Sequence, residues 1–334
     1  MTVPCRPSAR GACAGSRLTR WRRQAAALWL WVGLLVPLAA AAYKPVTATE
    51  VTAGVWFVQG EAALGSSANR NFISNAGFIV TEDGVLVIDA LGSPVLAREL
   101  LAEIRRVTKQ PVRYVVVTHY HADHIYGLQV FQEAGAQVLA HGQARAYLGS
   151  EVAQRRLENS RLEMAPWIDR ETRLVSADRW LDEPETRLRL GTFDIVVRHV
   201  GPAHTGEDLV VAVPRLGVLF AGDLVFRGRV PFVGQADSRR WIASLERIIE
   251  DRPRWVLPGH GPASTDAQAD LELTRDYLVH LRRTMGEAAQ NMEPFDEAYA
   301  RTDWSRFESL PLFRAANRMN AYNTYLLMEQ QGPS

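Results

Sequence analysis

Thr118-His119-Tyr120-His121-Ala122-Asp123-His124 places four metal-ligand side chains within six residues, directly after the apolar run at 114–117. Burying three imidazoles and a carboxylate without partners is costly, whereas two divalent cations satisfy all four groups together. A fold that carries this segment has to close around a polar centre at the end of a buried strand. His119 and His121 alternate along extended chain and point the same way, while Asp123 and His124 follow where the chain bends into a helix. One loop then serves two adjacent sites.

Three more short segments each set one ligand-type residue among small, turn-forming neighbours: Gly201-Pro202-Ala203-His204-Thr205-Gly206, Ala221-Gly222-Asp223, and Leu257-Pro258-Gly259-His260-Gly261. The order and flanks resemble the metallo-β-lactamase superfamily, in which His-x-His-x-Asp-His, then His, Asp and His hold two metals between two β-sheets. The resemblance implies a first site of His119, His121 and His204, a second of Asp123, His124 and His260, and Asp223 as the bridge between them. It implies an α/β fold, a four-layer αββα sandwich over residues 43–265, with a helical C-terminal extension over 266–334. Asp89 closes an apolar run well before the cluster and resembles the superfamily's first motif aspartate; it is expected to orient the ligand loop from behind.

Residues 1–42 hold Arg6, Arg10, Arg17, Arg20, Arg22 and Arg23 and no acidic residue, then an apolar core at 25–36 and Ala40-Ala41-Ala42. This reads as a signal peptide, giving an exported and periplasmic protein with no stable membrane span after cleavage. An uncleaved anchor is the competing reading, set back by Pro37 within a short apolar stretch. Arg22-Arg23 is a twin arginine whose following residues do not add to a twin-arginine reading, so the export route stays open. Removing the six arginines takes the net charge from +1 to −5. A mildly acidic chain has no electrostatic pull toward nucleic acid, which argues against nuclease chemistry and for a small-molecule substrate. Cys5 and Cys13 both fall in the leader, leaving no thiol to pair or ligate.

Short apolar runs bounded by Gly, Asn and Asp at 55–58, 75–80 and 85–89 read as strands, and 93–107 carries Val95, Leu96, Leu100 and Ile104 at helical spacing. Strands are expected again at 114–118, 137–140, 186–190, 193–199, 209–213, 218–221 and 255–257, with a helix at 127–134. The stretch 147–180 reads as charged and irregular, with Trp167 either lining a lid or capping the core. Beyond residue 265, Leu271, Thr274, Leu278, Leu281 and Met285 describe an amphipathic helix with Asp266 as its N-cap, and 313–328 suits another. Such helices are expected to pack on the domain.

The ligand set implies two zinc ions, with iron or manganese as other fits, and a bridging water whose pKa falls to about 7. The resulting hydroxide would attack a carbonyl-type substrate, an ester, thioester or amide, with Asp123 among the catalytic groups. Arg227, in a basic and aromatic segment after Asp223, is the candidate clamp for a substrate carboxylate. His141, His199 and His280 have no motif and are expected to be core or surface residues. The chain looks similar to exported zinc metallohydrolases linked to bacterial sulfur-oxidation and quinoprotein systems, and glyoxalase II shares its ligand pattern. A class B-like β-lactamase is one alternative, set back by Asp223 where cysteine-type enzymes carry Cys and by Phe226 where they carry a base. An iron-dependent persulfide dioxygenase is another, and a non-enzymatic zinc protein a third.

Overall fold

A computed structural model describes residues 43–234, 236–264 and 266–331. The expected leader and its two cysteines lie outside the described residues. The first half of the chain runs β1 (Ala48–Thr52), β2 (Val55–Val58), β3 (Ala76–Thr81), β4 (Gly84–Ile88), α1 (Pro94–Val107), β5 (Val112–Val116), α2 (Ala122–Ile125), α3 (Leu128–Glu133), β6 (Gln137–His141), α4 (Ala144–Leu148), α5 (Glu151–Glu163) and β7 (Arg179–Leu181). The second runs β8 (Glu185–Leu190), β9 (Phe193–His199), β10 (Leu209–Val213), β11 (Val218–Phe226), α6 (Ser238–Asp251), β12 (Trp255–His260), α7 (Ala267–Gln290), α8 (Phe295–Arg301) and α9 (Phe313–Gln331).

Strands β1 to β7 form one sheet in chain order, and the other sheet has the order β12-β11-β10-β9-β8. In each sheet antiparallel hairpins give way to parallel pairs at β4·β5 and β11·β12, where a helix makes the crossover. Period-two alternation sorts the side chains into layers. Leu86, Ile88, Val116 and Leu139 face Val197, Val211, Phe220 and Leu257 of the opposite sheet. Their neighbours Val85, Val87, Val115 and Val138 face outward onto Leu96, Leu100 and Phe131 of α1 and α3. Val210, Leu219 and Val256 do the same toward Trp241, Leu245, Leu271, Leu278 and Leu281 of α6 and α7. Helix, sheet, sheet and helix thus form the expected αββα layers around three apolar cores. Each buried Val or Leu stabilises the fold by about 1.5–3 kcal/mol, so truncating Leu86 to Ala between the sheets costs about 2–5 kcal/mol.

The short elements β1, α4, β7 and α8 were not expected, and three longer stretches also depart from expectation. The region read as irregular contains α5, which buries only Ala153, Leu157 and Ser160, a stripe too thin to register as periodicity. Trp167 within that region donates from Nε1 to Ser67 O at 2.7 Å, and its ring meets Tyr43 edge-on. Helix α6 was not expected, although Trp241, Leu245 and Ile248 form its buried face and Asp237 accepts from Arg240 N at its start. Strand β11 continues through Asp223 to Phe226 rather than ending at Ala221. The two strongest C-terminal readings stand: α7 starts at the Asp266 cap and buries the named face, and α9 packs beside it. No helix among the described residues is long and apolar enough to cross a membrane.

Candidate metal centre

The centre begins at two strand ends. Asp89, just past β4, has φ 59°, a left-handed conformation that costs a non-glycine residue about 1 kcal/mol or more. The turn aims its carboxylate across to the loop after β5. Oδ1 accepts from Thr118 N at 2.8 Å, while Oδ2 accepts from Thr118 Oγ1 and from His124 Nδ1, each at 2.8 Å. Donation from Nδ1 to Asp89 orients the ring and turns Nε2 toward the centre. That Nε2 is buried and has no hydrogen-bond partner, as does Asp223 Oδ1.

His119 Nε2 and His204 Nε2 each lie 3.0 Å from His121 Nδ1. One nitrogen cannot exchange normal hydrogen bonds with both while all three imidazoles are neutral acceptors, but nitrogens at about 2.0–2.1 Å from one tetrahedral metal sit about 3.3 Å apart. Asp223 Oδ2 is 3.4 Å from His204 Nε2, 3.7 Å from His119 Nε2 and 3.3 Å from His260 Nε2, and its Oδ1 is 3.3 Å from His124 Nε2. Asp123 Oδ2 completes the other side, 3.3 Å from His260 Nε2 and 3.7 Å from His124 Nε2. The seven residues singled out in the sequence therefore converge, as His119, His121, His204 and Asp223 on one side and Asp123, His124 and His260 on the other. Asp223 alone reaches imidazoles of both.

Backbone devices hold this arrangement. Gly222 has φ 51° and a Cβ there would meet the Thr118 side chain at 2.8 Å, so only glycine lets β11 pass the ligand loop. Register shifts around Gly222 in the β11·β12 pairing turn Asp223 toward the centre. A Cβ on Gly259 would lie 2.0 Å from Asp223 Oδ1. His260 Nδ1 donates to Ile73 O at 2.8 Å, which presents Nε2 to the carboxylates. Asn75 Nδ2 donates to Pro258 O and Gly261 O, both at 2.8 Å, bracketing His260 from the other sheet. The His204 loop is closed by Asp208, which accepts from Thr205 N and Oγ1, and by Leu209 N donating to Thr118 O.

Electrostatics divide the centre in two. Burial drives His119 well below its ordinary value of 6.5, with the His124 cation adding to the shift. Burial and the neighbouring His204 push His121 down to about 3, and burial lowers His204 as well. Burial works against charge on His124 too, yet Asp223, Asp89 and Asp123 lift it well above 6.5. His260 is raised against its burial by Asp223 and Asp123. In turn the two imidazolium neighbours hold Asp123 and Asp223 below the carboxylate range, although burial alone would raise both.

Arg227 does not point to this centre. Its Nε donates to Asp270 Oδ2 at 2.6 Å and its Nη1 to Ala263 O at 3.2 Å, because α7 brings a carboxylate from 43 residues along the chain to its side. Arg229, two residues on, is the arginine that reaches the centre. It is 1 % exposed, lies between the Phe226 and Phe232 rings, and sets Nη1 3.3 Å from His260 Nδ1. Phe226 stacks on His260 with ring centroids 5.1 Å apart and planes within 5°. Ile73, Ser74, whose Oγ donates to Asp123 O, and Asn75 were not expected as supports; an Asn ahead of an apolar strand reads as a turn residue. His141 and His199 stack on each other, and His280 packs on Trp304 and Phe307.

The profile of the metallo-beta-lactamase superfamily matches residues 69–260, which spans every one of the converging residues. A type 2 metallo-beta-lactamase of Bacillus cereus is 26% identical over 221 residues, covering 65% of this chain and 77% of that protein. Among solved structures, a metallo-beta-lactamase from Pontibacter korlensis superposes with a TM-score of 0.55 at 24% identity, over 70% of this chain and 99% of that one. A stereoselective inverting sec-alkylsulfatase from Pseudomonas sp. superposes at 0.65 and 17% identity, over 84% of this chain and 50% of that one. With a matching profile over more than half its length and a histidine–aspartate metal site, the chain belongs to the metallo-β-lactamase superfamily, as a metal-dependent hydrolase.

Proposed function

We propose that the seven side chains hold two divalent cations, zinc ahead of iron or manganese, and that the chain is an exported hydrolase of esters, thioesters or amides. The observation that carries this reading is Asp223. A buried carboxylate within 3.3–3.7 Å of four imidazole nitrogens, with one oxygen lacking any hydrogen-bond partner, is a poor structural ion pair and a good bridge. Nitrogen and carboxylate donors without a thiol suit zinc, and the arginine-rich leader with its alanine boundary supports export. Bound there, the cations would supply water that ionises near neutral pH and positive charge for an oxygen turning negative on attack.

His119, His121 and His204 are neutral near pH 7 and offer lone pairs without first releasing a proton. Asp89 holds the His124 tautomer and Ile73 that of His260. Asp123 is only half-buried and sits against His260, so its carboxylate is placed to take a proton from water and return it to a leaving group. Phe226, buried and stacked on His260, offers no base to hold a lactam carboxylate. Lactams therefore rank below simple esters and thioesters. A second reading, sulfate-ester hydrolysis, is favoured by the alkylsulfatase likeness, which covers 84% of the chain against 70% for the Pontibacter lactamase.

The test is kcat/KM on one zinc-loaded preparation for an aryl ester, a thioester, a lactam and an alkyl sulfate. The ester or thioester should lead, with Asp123→Asn slowing all of them. Efficient lactam turnover with no thioesterase activity would move the function to antibiotic inactivation, and a leading sulfate would select the second reading.

A further inference from the structure

We propose that α9 belongs to the catalytic scaffold, with Asn320 the positioning residue that holds the 227–233 segment against His260. Asn320 is 1 % exposed and lies far along the chain from every candidate ligand. Its amide is fully engaged: Oδ1 accepts from Val233 N at 3.0 Å, and Nδ2 donates to Pro231 O at 2.7 Å and to Tyr277 Oη of α7 at 2.9 Å. Just before α9, Pro311 O accepts from Val230 N at 3.1 Å. These bonds hold Val230, Pro231 and Val233 in a segment that has no strand or helix of its own.

The other end of the same segment is fastened to the metal centre. Arg227 N donates to His260 O at 3.0 Å, and the Arg229 guanidinium packs beside the His260 ring. Contact is close enough that a Cβ on Gly261 would lie 2.0 Å from Arg227 O. Arg229 has no carboxylate in salt-bridge range among the described residues, and its Nη2 is buried without a partner. No direct ion pair therefore fixes its guanidinium, and the aromatic rings beside it and the backbone that Asn320 and Pro311 pin set its place. Asn320 is itself held rigid, since Tyr277 Oη donates to Asn317 Oδ1 at 2.8 Å, and Asn317 Nδ2 donates to Tyr299 Oη of α8 at 3.1 Å. The polar network runs from three C-terminal helices to one face of His260. Its consequence for metal binding rests on the two-cation reading.

The test compares full-length wild type, Asn320→Ala and Thr324→Val, the last removing a buried hydroxyl of α9 that bonds the backbone carbonyl of Asn320 and leaves its side-chain amide untouched. In the metal-free proteins, amide hydrogen exchange at Val233 and Arg227 should quicken about tenfold or more in Asn320→Ala and stay unchanged in Thr324→Val. In competition with a chelator, Asn320→Ala should weaken the second equivalent of zinc about tenfold or more and leave the first unchanged. Faster exchange at Val233 with an unaltered Arg227 amide and unaltered second-zinc affinity would overturn the proposal, as would the same losses in Thr324→Val. If Asn320→Ala does not fold, Tyr277→Phe removes one bond of the same amide and should show the pattern at smaller size; wild-type behaviour there would also overturn it. Should wild type take up no second zinc, the two-cation reading fails, while the exchange measurements still decide whether α9 positions His260.

Discussion

His119, His121 and His204 face His124 and His260 across a single carboxylate, yet in the metal-free protein the first set is neutral and the second is protonated. The first set is buried with Asp223 the only carboxylate within 4 Å of it among the described residues, at 3.4 Å or more, and desolvation keeps it neutral. The second has Asp223, Asp123 and, behind His124, Asp89, and those carboxylates keep it protonated against the same desolvation. Identical ligand types thus become a preformed cation site on one side and an internally charge-balanced cluster on the other. A cation enters the first set without displacing protons. To enter the second it has to displace them, so its affinity there is tied to pH.

The largest expected effect is at His121, whose Nδ1 stands between His119 and His204. His121→Ala should cut turnover by more than about a hundredfold and abolish the tighter zinc equivalent, whereas His260→Ala should spare that equivalent. Zinc titration of the two variants checks this; equal effects on both equivalents would erase the difference between the sides. Asp223→Ala comes next, removing the carboxylate they share. Turnover should fall about a hundredfold with the second equivalent lost, and circular dichroism of the metal-free form should be nearly unchanged, because Asp223 contacts imidazoles rather than the apolar cores. A matching loss of fold would make the residue chiefly structural.

Asp89→Asn should act on one side only. It keeps the shape and the Thr118 contacts but takes the charged acceptor from His124 Nδ1, so second-zinc affinity should drop about tenfold to a hundredfold. A smaller effect is expected on stability. The raised values of His124 and His260 stabilise the metal-free protein fully below the ordinary 6.5, and this is lost as pH rises through those raised values. The lowered values of His119, His121 and His204 work in the other direction, their contribution disappearing as pH falls from 6.5 and, for His121, toward about 3. Metal-free protein should therefore lose melting temperature on the alkaline side, where buried carboxylates lose their cationic partners, and zinc should suppress that loss. Alkaline scans that coincide with and without zinc would show that the second set does not carry its charge in this way.

Much of this centre was legible because ligand chemistry is local. Four ligands share one loop, and the others sit among glycines whose spacing is set by close backbone approach, as at Gly222 and Gly259. The strands from β2 to β6 were legible for a similar reason, since alternation reports which core each side chain enters. What escaped depends on contacts between distant segments. Nothing near Arg227 announces Asp270, nothing near Asn75 announces Pro258, and Asn320 sits in a helix whose sequence reads as generic packing. Helix α5 was missed because three buried residues in thirteen leave no periodic stripe.

The most direct test is the zinc content of metal-saturated, gel-filtered protein across pH, with proton release followed during each addition. The two sides predict about two ions per chain at mildly alkaline pH, the first entering with little proton release and the second expelling protons from His124 and His260, and about one ion under mildly acidic conditions. A single equivalent at every pH, or two equivalents that release protons alike, would contradict a centre built from one neutral and one charge-balanced half.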